Sequence, residues 1–378
     1  MLVSATIRTI ASPPVPAMKL KSFQTFPVTL PDEDPEWKFA GQAYPKNEAV
    51  VVALKAEDGT VGYGYAAAFP HLAVTQLGVQ GALNRLLPLI MGKSALDIES
   101  NLRIIDRSIR DNNPAKSGID CALYDLAARL LKVPVYQLFG GKVRSEIPLS
   151  RMLALKTPEQ MAEKAKKHAD EGYRCIKLKL GGDLREDEAR VKAVRKAVGE
   201  AVRLTIDPNM SYSAKQAIAC VERVAQYNVE LIEQPVRFDD LDGLAMVTRS
   251  VSISVEADES AFSAESTYYL ASKGIVDAIS LKVSKMGGLR NVHTAARICE
   301  AAKLGCRMGA TVGSRLLAAH AAHLVASLPH LTFPCELAEF EHLMNDPFEG
   351  LQVKDGMLLV PDDIGPGVSL RADAGWSA

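Results

Sequence analysis

Five ionisable residues recur at nearly equal spacing through the middle of the chain, each at or near the end of a short apolar run. They are Lys179, Asp207, Glu233, Asp258 and Lys282, separated by 28, 26, 25 and 24 residues. Such a step is close to the length of one strand, one helix and two loops. A charge at the same point of successive units predicts a (β/α) barrel, in which the strand ends open into one shared site.

The three acidic residues of this series predict a metal site. Asp207, Glu233 and Asp258 belong to consecutive strands, so their carboxylates can converge on one point. Oxygen ligands suit Mg²⁺, with Mn²⁺ possible, and no His or Cys lies at these strand ends to favour zinc. A single acid at a strand end is usually a helix cap or a surface charge, and it is the equal phase of the three that favours metal binding.

The two lysines at the ends of the series predict proton transfer. Strands two and six are diametrically opposite in a ring of eight, so Lys179 and Lys282 should face each other across the barrel axis. A carboxylate substrate between them would lose its α-proton to an amine, while the metal stabilises the resulting enediolate. An amine acts as a base at neutral pH only if its pKa is lowered. Lys177, on the same face of its strand as Lys179, should supply the neighbouring cation or pair with a ligand carboxylate.

Composition favours an enzyme over other broad classes. The chain has 378 residues, 48% hydrophobic content and a formal net charge of −1, which indicate two domains with a large core. No Lys/Arg block provides the footprint of nucleic-acid or membrane-surface binding, and the apolar stretches are too short to span a bilayer. Six scattered cysteines without a CxxC pair indicate buried thiols. We expect a cytoplasmic homo-oligomer that acts on a small-molecule carboxylate.

The order of sequence patterns predicts the domain organisation. Residues 19–66 contain β-rich runs, with a hairpin signal at 57–59, and residues 76–132 have helical spacing. Strand and helix patterns then alternate from about residue 147. We expect an N-terminal extension over 1–17, an α+β capping domain over 18–140 completed by about 347–378, and a (β/α) barrel catalytic domain over 141–346. The eight barrel strands are expected near 148–153, 174–180, 202–207, 229–233, 252–257, 277–283, 305–311 and 334–338.

Several motifs in fixed order carry a family resemblance. The segments KSGIDCALYDL, CIKLKLGG, TIDPNMSY, LIEQP, EADES and LKVSKMGG resemble the enolase superfamily. The KxK on the second strand and the lysine on the sixth resemble its mandelate racemase/muconate lactonizing enzyme subgroup. The resemblance implies an α/β fold with a TIM-like (β/α)8-type barrel, of the modified (β/α)7β form, and an α+β N-terminal capping domain. It also implies that Asn209 and Glu259 lie next to the metal ligands.

The resemblance implies a Mg²⁺-dependent isomerase, and we expect a racemase or epimerase of an amino-acid derivative or related acid. A dehydratase or other lyase, or a cycloisomerase, would use the same site with only one of the two lysines as base. A non-catalytic structural or binding relative is the alternative outside enzymes. Five buried ionisable groups argue against that alternative, because they are costly without a metal and a reaction.

Substrate identity is where the chain departs from relatives. In dipeptide epimerases of the subgroup the eighth strand carries an Asp-x-Asp pair that holds the substrate's ammonium. Glu336 keeps one carboxylate here and Ala338 replaces the other, which argues against a dipeptide with a free α-ammonium. Glu339 should point to the other side of the strand. Thr311 stands where several relatives have a glutamate, which argues against cycloisomerisation of the muconate type.

Further residues are expected around the site or in the core. Loops at about 32–47 and 66–71 should cover the barrel mouth, and their aromatic residues should either form an apolar lid over the substrate or serve as ordinary packing. These lid residues are Trp37, Phe39, Tyr44 and Phe69. We expect Lys285 to belong to a turn that begins a helix, and His320 and His323, at i and i+3 on an apolar helix, to pack in the core.

Overall fold

The computed structural model describes residues 18–39, 42–69, 74–310 and 312–376. The expected extension over 1–17 and the substrate-site candidate Thr311 lie outside these residues. No helix in the described ranges is long and apolar enough to cross a membrane.

The N-terminal part is a twisted antiparallel sheet covered by helices. Its strands are β1 (Leu20–Pro31), the two-residue pair β2 (Lys38–Phe39) and β3 (Gln42–Ala43), β4 (Lys46–Ala56) and β5 (Val61–Ala68). The main sheet has the order β1-β4-β5, and the expected hairpin is confirmed, with Gly59 in its turn at φ +91°. Helices α1 (Gln76–Leu86), α2 (Ile98–Ser108) and α3 (Asn113–Leu131) follow.

Glycines allow α3 to lie directly against β5. A Cβ on Gly64 would stand 2.0 Å from the carbonyl oxygen of Gly118, and one on Gly118 would stand 2.7 Å from the Cβ of Ala66. Side chains at these two positions would therefore force the helix off the sheet. Because α3 carries the KSGIDCALYDL segment toward the barrel, this close packing fixes how the two parts of the chain are joined.

The middle of the chain is a parallel barrel in which strands alternate with helices. After β6 (Glu146–Pro148), seven strands are hydrogen-bonded in the order β13-β12-β11-β10-β9-β8-β7. These strands are β7 (Ser150–Leu153), β8 (Cys175–Lys179), β9 (Arg203–Asp207), β10 (Val229–Glu233), β11 (Ser254–Ala257), β12 (Ala278–Leu281) and β13 (Gly305–Met308). Seven of the expected strands are thus confirmed, and the largest difference is at β13, which ends at Met308 rather than at residue 311.

The outer helices return the chain to the start of each next strand. They are α4 (Pro158–Asp170), α5 (Leu184–Val198), α6 (Ala214–Val224), α7 (Leu241–Ser250), α8 (Ala264–Lys273), α9 (Val283–Met286), α10 (Leu289–Ala302) and α11 (Arg315–Ser327). Three of them begin with capping boxes, at Thr157, Ser213 and Ser263, in which a side-chain oxygen accepts from the third helical residue. These caps satisfy amides that helix geometry leaves unpaired, so they define where the helices begin.

The eighth segment closes the barrel without forming a regular strand. Cys335 donates to Pro148 O and accepts from Ser150 N, and Glu336 N donates to Met308 O. The segment therefore bonds to β7 on one side and to β13 on the other, but only Leu149 and Cys335 pair as a β-bridge. The strand expected over 334–338 is shortened because the chain turns at Glu339 into a single helical turn that ends at His342.

The C-terminal segment returns to the N-terminal sheet. Its short strands are β14 (Phe348–Gly350), β15 (Gln352–Lys354), β16 (Met357–Leu359) and β17 (Val368–Leu370). β16 pairs with β6 below the barrel, whereas Trp376 stacks on Phe26 of β1 with ring centroids 4.6 Å apart. The two ends of the described chain therefore support one another.

Both histidines of α11 are buried in the core. The Nδ1 atom of His320 lies 2.9 Å from Leu316 O, and His323 stacks on Tyr136 at 5.4 Å. Burial lowers the pKa of His320 to about 3 and that of His323 to about 4. Both rings are therefore neutral at physiological pH, and the expected packing role is confirmed.

These histidines predict a pH-dependent stability. Between the unfolded pKa of about 6.5 and the lower folded value, the unfolded chain binds a proton at His320 that the folded protein does not. Stability is therefore fully present above about pH 6.5 and falls as the pH decreases, by up to about 1.4 kcal/mol per pH unit for this group. We expect His320→Leu to have a shallower dependence than wild type in urea denaturation between about pH 4 and pH 7. Equal slopes for the two proteins would contradict a neutral buried His320.

Candidate active site

Lys177 lies at the centre of the barrel and contacts three carboxylates. Its Nζ atom is 2.9 Å from Asp207 Oδ2, 2.5 Å from Glu233 Oε2 and 3.0 Å from Glu336 Oε1. The side chain is almost completely buried. Burial lowers its pKa, but the three carboxylates together raise it well above the ordinary value. Lys177 is therefore a permanent cation that pairs with the expected metal ligands, which is the second of the roles inferred from sequence.

Lys179 and Asp207 form the first edge of the site. They are paired in register on β8 and β9, and Lys179 Nζ lies 2.6 Å from Asp207 Oδ2. The other oxygen, Oδ1, accepts a hydrogen bond of 2.9 Å from the amide of Asn209, which adopts a left-handed φ of +44°. Burial raises the pKa of Asp207, but Lys177 and Lys179 lower it to about 2. Asn209 thus lies beside this carboxylate, where the resemblance placed it.

Lys282 and Asp258 form the opposite edge. Lys282 lies directly after β12, and its Nζ is 2.5 Å from Asp258 Oδ2. Lys285 donates to Asp258 Oδ1 at 2.7 Å, to Asp258 O at 2.6 Å and to Ser280 O at 2.9 Å. Lys285 was expected only as a turn residue, so this role is a correction. Its position in α9 brings its long side chain back into the barrel.

The pKa of Lys282 is raised rather than lowered. Burial lowers it, but the carboxylates of Asp258, Glu233 and Glu259 raise it above the ordinary lysine value. The expectation from sequence considered a neighbouring cation and did not include the carboxylate in direct contact. Glu259 lies two residues beyond the end of β11, is half-buried and is near enough to Lys282 to act on its charge.

Gln234 organises the backbone around Asp258. It follows Glu233 with a left-handed φ of +32°. Its Oε1 atom accepts from the amides of Asp258 and Ser260 at 2.9 and 3.0 Å, and its Nε2 donates to Val236 O and to Ser260 Oγ. The sequence shows this residue within LIEQP, but its role depends on contacts between neighbouring loops that spacing does not reveal.

Arg307 and Glu256 complete the barrel interior and were missed in the sequence. The Nε atom of Arg307 lies 3.0 and 3.1 Å from the two oxygens of Glu256. Its Nη1 donates to Glu336 and its Nη2 to Glu233. Both residues lie inside strands rather than at their ends, so the search for charges at strand ends did not find them. A charge flanked by apolar residues, as in GCRM and SVEA, is the signal that could have found them.

Glu336 is held by protein cations. Its oxygens accept from Arg307, from Lys177 and from the amide of Ala310 at 3.0 Å, and the residue is buried. These partners all belong to the protein itself, so Glu336 is engaged in ion pairs inside the barrel. Glu339 lies in a different cluster, where its carboxylate is 3.5 Å from Arg151.

Aromatic residues of the N-terminal part meet the barrel above this charged layer. Trp37 and Phe69 pack in one apolar cluster with Met152 and Ala154, and the ring of Tyr44 stacks on Phe69 at 4.8 Å. Met152 is paired in register with Lys177, so the cluster adjoins the charged interior. Three of the four expected lid residues are thus brought together; Phe39 lies in β2.

The acidic residues have the chemistry of a site for a hard cation. Glu233 Oε1 and Asn209 Oδ1 are buried without a hydrogen-bond partner. In the ranges that the structure describes, no three His, Cys, Asp or Glu side chains are grouped as a metal site, and lysine amines contact the carboxylates instead. Carboxylate and amide oxygens that lack donors fit a divalent ion such as Mg²⁺. Asp207, Glu233 and Asp258 would hold it.

Comparison with known families identifies both parts of the chain. Residues 26–140 match the mandelate racemase / muconate lactonizing enzyme N-terminal domain. Residues 160–374 match the enolase C-terminal domain-like family. The second match alone covers more than half of the 378 residues.

Individual relatives are isomerases. The chain is 33% identical to a hydrophobic dipeptide epimerase of Enterococcus faecalis, over 84% of this chain and 87% of that protein. It is 33% identical to a chloromuconate cycloisomerase of Cupriavidus necator, over 77% and 79%. A crystal structure of the dipeptide epimerase from Enterococcus faecalis, complexed with Mg and the dipeptide L-Leu-L-Tyr, has a TM-score of 0.90 at 30% identity, covering 93% of this chain and 100% of that one.

The contacts of Glu336 predict a stability effect. Glu336→Gln leaves Arg307 and Lys177 short of one negative charge inside the barrel, and breaking such a buried pair costs about 3–5 kcal/mol. Chemical denaturation should show this loss, whereas Glu349→Gln, at an exposed position in β14, should be close to wild type. A fully stable Glu336→Gln protein would show that this carboxylate is not needed to balance the two cations.

Proposed function

The chain belongs to the mandelate racemase/muconate lactonizing enzyme group of the enolase superfamily and is an isomerase of that group, and from this premise we propose that it racemises or epimerises a small carboxylate. The reaction removes the α-proton of an amino-acid derivative or related acid and returns it to the opposite face. The observation that carries this proposal is the pair Lys179 and Lys282, each in contact with a different carboxylate on opposite sides of Glu233.

The two lysines divide the proton transfer between them. An amine on one face of the α-carbon accepts the proton, and the protonated amine on the other face supplies one, so the configuration inverts. Strands β8 and β12 are four positions apart in the sheet order, which supports this opposed placement. Lys177 holds Asp207 and Glu233 from below and does not need to exchange its own proton.

The three acidic residues at the strand ends would hold the group that stabilises the negative charge developing on the substrate. A divalent cation, Mg²⁺ or Mn²⁺, held by Asp207, Glu233 and Asp258, would draw negative charge from the substrate's carboxylate as the α-proton leaves. Lys285 keeps Asp258 in place by donating to the Oδ1 atom and to the backbone carbonyl oxygen of Asp258. With Asp207 and Asp258 holding such a cation, the amines of Lys179 and Lys282 would face the substrate.

The apolar cluster at the barrel mouth supports a substrate with an apolar or acylated substituent. Trp37, Phe69 and Met152 are buried and carry no charge, so a substituent packed against them would be shielded from water. Exclusion of water strengthens the electrostatic contacts around the reacting carboxylate. Glu336, already paired with Arg307 and Lys177, adds no free negative charge for a cationic amine.

A cycloisomerase is the second candidate, supported by the 33% identity to a chloromuconate cycloisomerase. Such a reaction uses a single base, so one of the two lysines would be dispensable for proton transfer. The presence of both lysines in contact with the acidic layer favours the two-base reaction.

The lysine pair can be tested directly. In D₂O, wild type should exchange the α-proton of its substrate and give both configurations, as followed by proton NMR across a panel of N-acyl amino acids, dipeptides and unsaturated diacids. Lys179→Ala and Lys282→Ala should each abolish racemisation, and one of them should still exchange a single enantiomer. Lys273→Ala, at the end of α8, is the surface control and should behave as wild type. Full racemase activity in either site variant would exclude the two-base reaction.

The metal is tested by removal. Exhaustive chelation should abolish turnover, and added Mg²⁺ or Mn²⁺ should restore it. Glu233→Gln should need a much higher metal concentration for half-maximal activity, because one of three charged ligands is lost. Activity that survives chelation would overturn the metal-dependent reaction.

A further inference from the structure

Arg307 is joined to a metal-ligand candidate in a closed ring of charges. Glu233 Oε2 forms ion pairs with both Lys177 and Arg307, and Glu336 Oε1 forms ion pairs with the same two side chains. Two cations and two carboxylate oxygens therefore alternate around the ring. All four side chains are at most 2% exposed. Glu256 lies outside the ring and accepts hydrogen bonds from the Nε and Nη2 atoms of Arg307.

The ring makes the two oxygens of Glu233 unequal. Oε2 accepts a charge-assisted hydrogen bond from Arg307 and forms an ion pair with Lys177, whereas Oε1 is buried and has no hydrogen-bond partner. A buried carboxylate oxygen without a donor is costly, so it indicates a partner that the protein's own side chains do not supply. Because Oε2 is already held in place, the Glu233 side chain has lost in advance the rotational freedom that it would otherwise lose on binding a cation.

The guanidinium is suited to this task by its shape. Its nitrogens form a rigid planar fork, so Nε, Nη1 and Nη2 can each serve a different carboxylate. Glu256, Glu336 and Glu233 occupy these three positions. A lysine at the same place would present a single flexible ammonium and could not hold all three groups in fixed directions.

We propose that Arg307 is a positioning residue for Glu233, holding Oε2 so that Oε1 remains available to a divalent cation. This inference rests on the proposed metal-dependent function, and it assigns to β13 a part in cation binding that the strand-end residues alone do not reveal. Arg307 does not touch the cation or the substrate. Arg307 acts by fixing the orientation of the Glu233 carboxylate.

The alternative is that Arg307 only neutralises buried acids. A variant that removes one positive and one negative charge separates these roles, because the net charge of the barrel stays constant. Arg307→Met/Glu256→Gln is such a variant, and it deletes the anchor of Glu233 while leaving Lys177 and Glu336 in place. Arg307→Lys keeps the charge, loses the fork and disturbs folding least. The matched control, Arg129→Met/Asp125→Asn, removes a partly buried pair joined at 2.6 Å in α3 of the N-terminal part.

The measurement is the Kd for Mg²⁺ alone, by titration calorimetry of each purified protein without substrate. We expect the Arg307→Met/Glu256→Gln variant to bind Mg²⁺ about 10- to 100-fold more weakly than wild type, as is typical when a partner that orients a metal ligand is lost. Arg307→Lys should also weaken binding, and the control in α3 should keep the wild-type Kd even if its melting temperature falls.

The outcomes separate this inference from the proposed function. If wild type itself does not bind Mg²⁺, the metal-dependent function fails. If wild type binds and Arg307→Lys has the same Kd, charge alone is sufficient and the positioning role of Arg307 is refuted. This second comparison decides the point even if the double variant does not fold. A rise in Kd confined to the variants of Arg307 supports the proposal.

Discussion

The structure depends on charges that pair with one another in the barrel interior. Lys177 and Arg307 each contact more than one carboxylate, and Glu233 and Glu336 each contact both cations. Removing any one member leaves an uncompensated charge in a region of low dielectric, which costs more than an average core substitution. The barrel core is therefore a polar layer whose members must be present together. Its apolar packing lies outside the strands, against the helices.

Ordinary backbone geometry would not bring these charges so close. Asn209, two residues after β9, and Gln234, directly after β10, adopt left-handed conformations, which few non-glycine residues do. These conformations turn the chain so that Asn209 N binds Asp207 and the side chain of Gln234 binds the amides beyond β11. Strain of this kind persists only where surrounding contacts over-determine it. Here the same contacts hold the carboxylates toward one centre.

The sequence was sufficient to predict the barrel, because a charge at the end of each strand repeats with the length of a β/α unit. The same periodic argument found Lys179, Asp207, Glu233, Asp258 and Lys282, and the structure pairs them across neighbouring strands or through Lys177. It could not find Arg307 and Glu256, which lie within strands, since a barrel interior and an outer core look alike in a short apolar run. Lys285 was missed for another reason: its side chain reaches back from α9 to Asp258 across a distance that sequence spacing does not encode. The eighth strand was overestimated because CELAEF alternates like a strand, while only Cys335 is paired as one.

The pairing of charges with one another inside the barrel has a consequence for substrate specificity. When Glu336, Arg307 and Lys177 are all engaged with one another, little of the deep charged layer remains to distinguish one carboxylate from another. In the proposed function, discrimination between substrates would then depend on the apolar cluster in which Trp37 and Phe69 of the N-terminal part meet Met152 of β7. Such a division separates two demands on the protein. The interior must keep its charges balanced for stability and, in the proposed reaction, for proton transfer, whereas the covering loops can vary in shape at small energetic cost. This division agrees with the relatives of the chain, because an epimerase and a cycloisomerase are similar to it at the same sequence identity.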